Sequence, residues 1–393
     1  MPVANHILEA MTKASWIRKM FEKGTELKRI HGAGNVFDFT LGNPILEPPK
    51  EFFDALAELS RLREEGIHRY MPNAGIPAVR EAIARRLSGD GVFPGISANH
   101  VVMSVGAGGG LNVALKALLN PGDQVVILAP YFVEYMFYIR NHGGEPLVVE
   151  TKADFDLDPQ ALAAALGPKV KAVIINSPNN PSGRLYPRSS LDAFCRVLAA
   201  KEKEFGRPIY VLSDEPYREL VYGKGAPPSP AALHPNSLMI YSWSKSLSVP
   251  GERIGYVAVN PKADTPGALA DALNFTTRIL GFVNAPASMQ WIVAKLLAVT
   301  IDVDWYRARR DRLVEAVQEM GLDLVPPEGT FYLFPRSPDP DDVAFVNRAL
   351  EERVLLVPGS GFGRKGFFRI CYCVDDATIE GGIKALRRVL AKK

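Results

Sequence analysis

The 393-residue chain is too long for one small domain and long enough to bury a large core, so we expect two domains. Apolar residues make up 47% of it and charged residues 23%, which is typical of a soluble globular protein and excludes a disordered or fibrous chain. The formal net charge of +3 is nearly neutral, and no basic arm interleaves with aromatic residues, so a nucleic-acid partner is not expected.

The cysteines and the apolar runs indicate where the protein works. Cys195, Cys371 and Cys373 cannot form a fully paired disulfide set, and none has the spacing of a zinc site. The first residues lack the charged start and apolar run of a signal peptide, and no later run approaches the ~18 apolar residues of a membrane span. We therefore expect a cytoplasmic protein with no membrane partner and no metal.

The first predicted element is a helix over 6–30, followed by a strand-and-helix region. Apolar residues from Ile7 to Leu27 recur at helical spacing, and the glycines at 32 and 34 end the helix. Its apolar face is expected to pack on the body of the protein. Short, almost wholly apolar runs then lie at 101–105, 124–128, 170–175, 209–213, 238–242 and 254–259.

These runs predict strands of a largely parallel sheet that is buried on both faces, because strands covered on both sides have few polar residues. Helical stretches between them, such as 108–120 and 189–204, provide the crossovers. Beyond 285 the pattern changes to that of a smaller α+β domain. Its predicted elements are helices near 286–320, strands near 322–334, 354–357 and 367–372, and a closing helix.

The predicted domains are an N-terminal segment, 1–45, that packs with the small domain and the active site, a large domain, 46–285, and a small domain, 286–393. In open α/β sheets ligands bind beyond the carboxyl ends of the strands. The first such end carries the glycine run 106–110, which would serve as a phosphate cradle or only as a tight turn. Leu111 stands where a dinucleotide fingerprint has its third glycine, which argues against that alternative.

The other strand ends carry groups of different chemistry. Tyr131 follows the second strand, where it could stack on a flat ring or merely pack. The turn-rich stretch 176–183 would hold an asparagine amide, and Asp214 would be costly to bury without a cation. Lys245 leaves a strand among hydroxyls and Arg253 returns into the next one, although either could be a solvated surface charge. Together they suit pyridoxal phosphate (PLP), an anionic aromatic aldehyde.

The order of the motifs is more specific than any one of them. NPSG at 180–183, SDEPY at 213–217, SWSK at 242–245 and GERIGY at 251–256 lie between LGNP at 41–44 and FRIC at 368–371. This set resembles the PLP-dependent aminotransferases of fold type I, in the aspartate-aminotransferase-like group of classes I and II, over nearly the whole chain. The resemblance implies an α/β fold whose large domain has a mostly parallel seven-stranded sheet covered by helices, with a smaller α+β domain.

The resemblance also implies roles for the catalytic residues. Lys245 matches the lysine that binds the cofactor covalently and then moves the proton. Asp214 matches the acid that pairs with the pyridine nitrogen and keeps the ring an electron sink. Tyr217 and Asn180 match the donors to the phenolic oxygen, and Tyr131 matches the stacking aromatic.

Further residues match the groups that bind phosphate and substrate. The phosphate cradle would consist of Gly106, Ala107, Gly108, Ser242, Ser244 and Arg253. Tyr70 matches a tyrosine that reaches the phosphate from the partner subunit, which implies a homodimer with active sites at the subunit interface. Arg369 would clamp the substrate carboxylate with help from Gly42 and Asn180. Asn43 and Pro44 would shape the loop of Gly42, while Ser15 would border the substrate pocket.

The implied reaction moves an amino group between an L-amino acid and a 2-oxo acid, aspartate-type by the group's name. Some aspartate-specific relatives carry a lysine in the phosphate loop, whereas this chain has glycines at 108–110, so the side-chain specificity stays open. A PLP-dependent C–S lyase or decarboxylase on the same fold is the alternative. A non-catalytic PLP-binding module is the remote alternative. Such modules in bacteria carry a DNA-binding domain in front, and the roughly 40 residues before LGNP leave no room for one.

Overall fold

A computed structural model describes residues 3–5, 7, 8, 11, 15–63 and 66–391, with residues 15–19 and 21 as backbone only. The strands in these ranges are β1 (Phe37–Asp38), β2 (Val101–Ser104), β3 (Gln124–Ala129), β4 (Glu145–Glu150), β5 (Val170–Asn176), β6 (Tyr210–Asp214), β7 (Ser237–Ser242), β8 (Gly255–Val259), β9 (Tyr332–Leu333), β10 (Val354–Leu355), β11 (Val357–Pro358) and β12 (Phe368–Cys371).

The described helices connect and cover these strands. They are α1 (Ser15–His31), α2 (Lys50–Arg61), α3 (Pro77–Gly89), α4 (Gly106–Leu118), α5 (Tyr135–Asn141), α6 (Pro159–Ala165), α7 (Arg188–Phe205), α8 (Trp243–Ser246), α9 (Pro266–Ile279), α10 (Ala287–Lys295), α11 (Val303–Glu319), α12 (Asp342–Glu351) and α13 (Asp376–Ala391). Within the described ranges, none of them combines the length and the apolar character that crossing a membrane requires.

The main sheet has seven strands in the order β2-β8-β7-β6-β5-β3-β4. β8 runs antiparallel to β2 and β7, and the remaining neighbours pair in parallel. The predicted α/β fold with a mostly parallel seven-stranded sheet is therefore confirmed. Edge strand β4 was missed because its sequence, EPLVVE, is polar at both ends and largely accessible to solvent.

Helices cover both faces of this sheet. Successive side chains of a strand point to opposite faces, so apolar residues of one strand pack against helices on both sides. Ile174 of β5 packs in one core with Leu111 of α4, whereas Ile175 packs in the opposite core with Leu198 of α7. The central strands are thus buried on both sides, which is why their sequences read as continuous apolar runs.

Local signals position several of the helix ends. The carboxylates of Asp158, Asp302 and Asp341 each accept hydrogen bonds from two backbone amides at the starts of α6, α11 and α12. Helix α7 ends at Gly206, whose φ of 65° lies in the left-handed region that glycine adopts without strain.

The C-terminal elements form two small sheets, one of β1 and β10 and one ordered β11-β12-β9. The predicted strand region 322–334 is reduced to β9, and the region 354–357 is divided between β10 and β11. Helix α10 was predicted to belong to the small domain but packs in one core with α2, α3 and residues of the main sheet. Its Ile292 and Val293 lie beside Phe52 and Ile83 there.

The N-terminal segment joins the C-terminal core. The part of the predicted helix 6–30 from Ser15 onward is confirmed as α1. Its Met20 is buried in the same cluster as Leu313 of α11 and Phe345 of α12. Ile7 and Met11, from its predicted apolar stripe, are 41% and 52% exposed, so they do not pack on this chain as expected. The stripe's Ala14 and the side chains of its Ile17 and Phe21 lie outside the described residues.

The close approach of α13 to the segment after α1 gives a stability prediction. A Cβ built on Gly382 would lie 2.4 Å from the Phe39 ring, so Gly382→Ala forces the helix away from the segment. We expect a loss of about 1–3 kcal/mol in the free energy of unfolding, measured by urea denaturation. Gly267→Ala in α9, where no atom lies within 4 Å, is the control and should be neutral or stabilising. Equal effects of both substitutions would contradict this packing.

Candidate active site

A cavity of about 380 Å³ lies beyond the carboxyl ends of β5, β6 and β7. It collects residues that are far apart in the sequence, since parallel strands bring their carboxyl ends to one edge. The predicted site residues that line it are Gly42, Ala107, Gly108, Asn180, Asp214, Tyr217, Ser242, Ser244, Lys245, Arg253 and Arg369.

Asp214, the last residue of β6, is a buried acid with one unpaired oxygen. Its Oδ2 accepts a hydrogen bond from the Tyr135 hydroxyl, while its Oδ1 is buried without a partner among the described residues. Burial raises the pKa of Asp214 from its usual 3.8 to about 7, although the Tyr135 hydrogen bond lowers it. The unpaired oxygen therefore requires a cation or a hydrogen-bond donor, which a bound molecule can supply.

Lys245 lies on the short helix α8, directly after β7. Its Nζ donates a hydrogen bond to the Gly42 carbonyl oxygen at 2.7 Å and lies 5.3 Å from the centre of the Phe331 ring. Burial lowers the pKa of this amine, and the charges of Arg369 and Arg253 act in the same direction. A lowered pKa increases the fraction of neutral, nucleophilic amine near neutral pH.

Arg369 of β12 also lines the cavity and is buried at 3% exposure. Its Nη1 donates to Asn180 Oδ1 at 3.1 Å and its Nη2 donates to the Thr40 carbonyl at 2.6 Å. Its Nε is buried without a partner in the described structure. The guanidinium stands over the rings of Tyr332 and Phe362, at 4.6 and 4.7 Å from their centres, which holds it rigidly for an incoming anion.

Tyr217 and the loop at Gly42 meet at Tyr332. The hydroxyls of Tyr217 and Tyr332 are 3.0 Å apart, and a Cβ on Gly42 would lie 2.0 Å from the Tyr332 oxygen. Only glycine therefore fits at position 42, next to the carbonyl that binds Lys245. Beyond this loop, the Asn43 carbonyl accepts a hydrogen bond from the Cys373 thiol at 3.2 Å, and the Ser15 side chain lies outside the described residues.

The predicted phosphate cradle surrounds the start of α4. The first-turn residues Ala107 and Gly108 line the cavity together with the buried Ser242 and Ser244 and the guanidinium of Arg253. Helix N-termini present free amides to anions. Gly106 does not line the cavity: its φ is 69° and a Cβ there would lie 2.7 Å from Arg253 Nη2, so it gives the arginine room.

The expected stacking aromatic lies elsewhere. Tyr131 does not line the cavity, because its ring packs against Gly363, where a Cβ would come within 2.4 Å of it. The next residue, Phe132, lines the cavity instead. Adjacent residues after a strand point in opposite directions, and the sequence offers no signal that distinguishes two neighbouring aromatics.

Tyr70 lies outside this cavity as well. It is 91% exposed and lines a separate surface cavity of about 610 Å³, which it shares with Arg69, Phe282 and Asn284. In this chain alone Tyr70 is therefore not brought to the other site residues.

Sequence reasoning also missed several residues of the site. Tyr135 and Asn176 support Asp214: the tyrosine binds its carboxylate, and the asparagine amide donates to its backbone carbonyl at 2.8 Å. Glu134 and Tyr138 line the cavity from the same short helical segment as Tyr135. The spacing of Glu134 and Tyr138 in YFVEYMFY gives a weak signal, since i and i+4 share one side of a short helix.

These residues fit the PLP that the motifs predict. The unpaired Asp214 oxygen suits a protonated ring nitrogen, and the amides, hydroxyls and guanidinium around Gly108 suit a phosphate. The half-buried Lys245 amine suits covalent attachment of an aldehyde. Each part of the cofactor thus has a chemically matched group in one cavity.

The buried Asp214 should make the stability of the cofactor-free protein depend on pH. Because the pKa of Asp214 is raised in the folded state, its contribution to the stability of the fold is complete below about pH 4 and is lost as the pH rises through about 7. In urea denaturation, the free energy of unfolding of Asp214→Asn should rise relative to that of the wild type over that range, by up to about 4 kcal/mol. Asp271→Asn, at an exposed position of α9, is the control. A difference between Asp214→Asn and wild type that does not vary with pH would refute the raised pKa.

Comparison with known proteins identifies the family. The family model described as "Aminotransferase class I and II" matches residues 34–386. The chain is 34% identical to an aspartate/prephenate aminotransferase of Thermus thermophilus, over 94% of each chain. It is 35% identical to an aspartate aminotransferase of Thermotoga maritima, over 95% of this chain and 96% of that one.

Solved structures agree. An amino transferase from Eubacterium rectale matches with a TM-score of 0.96 and 36% identity, over 100% of this chain and 99% of that chain. Aspartate aminotransferase from Thermus thermophilus with maleate matches with a TM-score of 0.86 and 30% identity, over 99% and 100% of the two chains. The chain therefore belongs to the class I and II aminotransferases, and it is a PLP-dependent enzyme that exchanges amino groups between amino acids and 2-oxo acids.

Proposed function

We propose that Lys245, Asp214 and Tyr217 carry out the amino transfer, with Arg369 binding the substrate carboxylate. The observation that supports this most strongly is that one cavity is lined both by the half-buried Lys245 amine and by an acid whose Oδ1 has no partner in the described structure. When bound, PLP withdraws electrons from the substrate Cα and so makes its proton acidic.

Lys245 is the proposed attachment point and the base. Its contact with the Gly42 carbonyl orients the amine, and its lowered pKa leaves it able to take a proton from Cα near neutral pH. The same amine can return that proton to another atom of the bound molecule. Asp214, oriented by Tyr135, would hold a proton on the ring nitrogen with its unpaired oxygen.

The remaining roles concern binding. Arg369 offers the substrate carboxylate a guanidinium that Asn180 and Thr40 orient, beside the backbone of Gly42. Tyr217 and Asn180 would donate to the phenolic oxygen, and Phe132 replaces Tyr131 as the proposed stacking ring. Aspartate is the donor for which several relatives are named, so it is the reference donor for assays.

The organisation of the chain is also a proposal. The division at 45 and 285 is supported by the separate cores of the main sheet and of the small sheets, although α10 packs with the large one. A cytoplasmic location is supported by the three unpaired cysteines, of which Cys371 and Cys373 are buried with their sulfurs 3.0 Å apart.

Substitution of the lysine tests the central role. Lys245→Ala should lower kcat by at least about a thousandfold, because both attachment and proton transfer are lost. Asp214→Ala should also lose activity by orders of magnitude yet still bind cofactor through the phosphate contacts. Transamination of aspartate and 2-oxoglutarate is the assay, and Lys262→Ala, at an exposed site, is the control. Substantial turnover by Lys245→Ala would falsify the assignment.

We further propose a homodimer in which Tyr70 reaches the phosphate of the partner's site. Its 91% exposure and its distance from this chain's own cavity lining support that role. An active site made from two subunits permits complementation.

Complementation can be measured with two weakened homodimers. Tyr70→Ala and Lys245→Ala subunits, mixed in equal amounts and allowed to exchange, should recover about a quarter of wild-type activity, because each mixed dimer has one intact site. Each variant exchanged with itself is the control. Failure to recover activity, with mixed dimers demonstrated by native mass spectrometry, would place Tyr70 outside the partner's site.

A further inference from the structure

One charged group in the cavity wall has no role in the amino transfer itself. The charged residues that line the cavity in the described structure are Asp214, Lys245, Arg253, Arg369 and Glu134. The first four are assigned to the cofactor and to the substrate α-carboxylate. Glu134 is left over.

The position of Glu134 makes its charge available to a ligand. It lies directly before α5, after the strand end that carries Phe132, and its side chain is half-buried. Its carboxylate makes no hydrogen bond or ion pair with any residue of the described ranges. Burial raises the pKa of the Tyr138 hydroxyl, one turn later, to about 12, and the nearby charge of Glu134 acts in the same direction.

A half-buried carboxylate without a cation affects the selection of a substrate. Arg369 binds the α-carboxylate, so a second carboxylate on the donor side chain would meet Glu134 and no unassigned cation among the described lining residues. Like charges in a partly desolvated cavity repel more strongly than they do in water. Conversely, a carboxylate accepts hydrogen bonds and therefore binds a side chain that can donate one.

We propose that Glu134 determines the donor preference of this enzyme, which selects amino acids whose side chain ends in a hydrogen-bond donor over those that end in a second carboxylate. The proposal rests on the function proposed above, in which Arg369 is committed to the α-carboxylate. It predicts a preference opposite to the one expressed in the names of the aspartate aminotransferases that resemble this chain.

Pairs of donors of equal size isolate the charge. With the cofactor-loaded enzyme, kcat/KM for asparagine should exceed that for aspartate by at least about tenfold, and glutamine should likewise exceed glutamate. Glu134→Gln should bring the two members of each pair to within about threefold. Glu145→Gln, at an exposed position of β4, is the matched control and should keep the wild-type preference.

Binding without turnover gives a second readout. Isothermal titration of the loaded enzyme should show succinamate binding more tightly than succinate, and Glu134→Gln should remove the difference. A wild-type preference for aspartate and succinate, or a preference that Glu134→Gln leaves unchanged, overturns the proposal while transamination itself continues. An enzyme that transaminates none of these donors also overturns the proposal. The proposed roles of Lys245 and Arg369 fail with it only if no other L-amino acid is transaminated, so the two failures are distinguishable.

Discussion

The site depends on one costly arrangement, the burial of the Asp214 carboxylate with a single hydrogen bond. Tyr135 satisfies Oδ2, and Oδ1 has no partner in the described structure. A buried carboxylate is tolerated when it is protonated or when it meets a cation. The raised pKa reflects the first condition, and in the proposed function a protonated pyridine nitrogen would supply the second. The fold therefore retains, at the end of β6, an acid whose charged form needs a cation beside it.

The sheet brings the other groups to that acid. β5, β6 and β7 run in parallel side by side, so their carboxyl ends place Asn176, Asp214 and Ser242 at one edge. Lys245 follows within the next helical turn. Two segments outside the sheet complete the cavity: the stretch after β1 contributes the Gly42 carbonyl, and β12 contributes Arg369. The hydrogen bond from Arg369 to Thr40 links those two segments directly.

Much of this organisation could be predicted, because buried parallel strands leave an unmistakable apolar pattern. Asp214 and Lys245 were found as polar residues at the ends of such runs, where burial has to be compensated. Edge strand β4 and the two-residue strand β1 were not found, since their neighbours in space rather than their own composition define them.

The errors in the site have the same origin. Which of Tyr131 and Phe132 enters the cavity depends on the direction of one backbone turn, and Tyr135 meets Asp214 only through the packing of α5 on the sheet. Tyr70 could be placed in the site only by resemblance, because its proposed partner is a second subunit.

The most direct test of the central claim is chemical attachment. Purified protein is loaded with PLP and reduced with sodium borohydride, which fixes the cofactor to the amine that holds it, and the labelled peptide is identified by mass spectrometry. We predict a single label on Lys245, reduced in yield when Asp214 is replaced by alanine. A label on another lysine, or no label in protein that has bound PLP, would contradict the account.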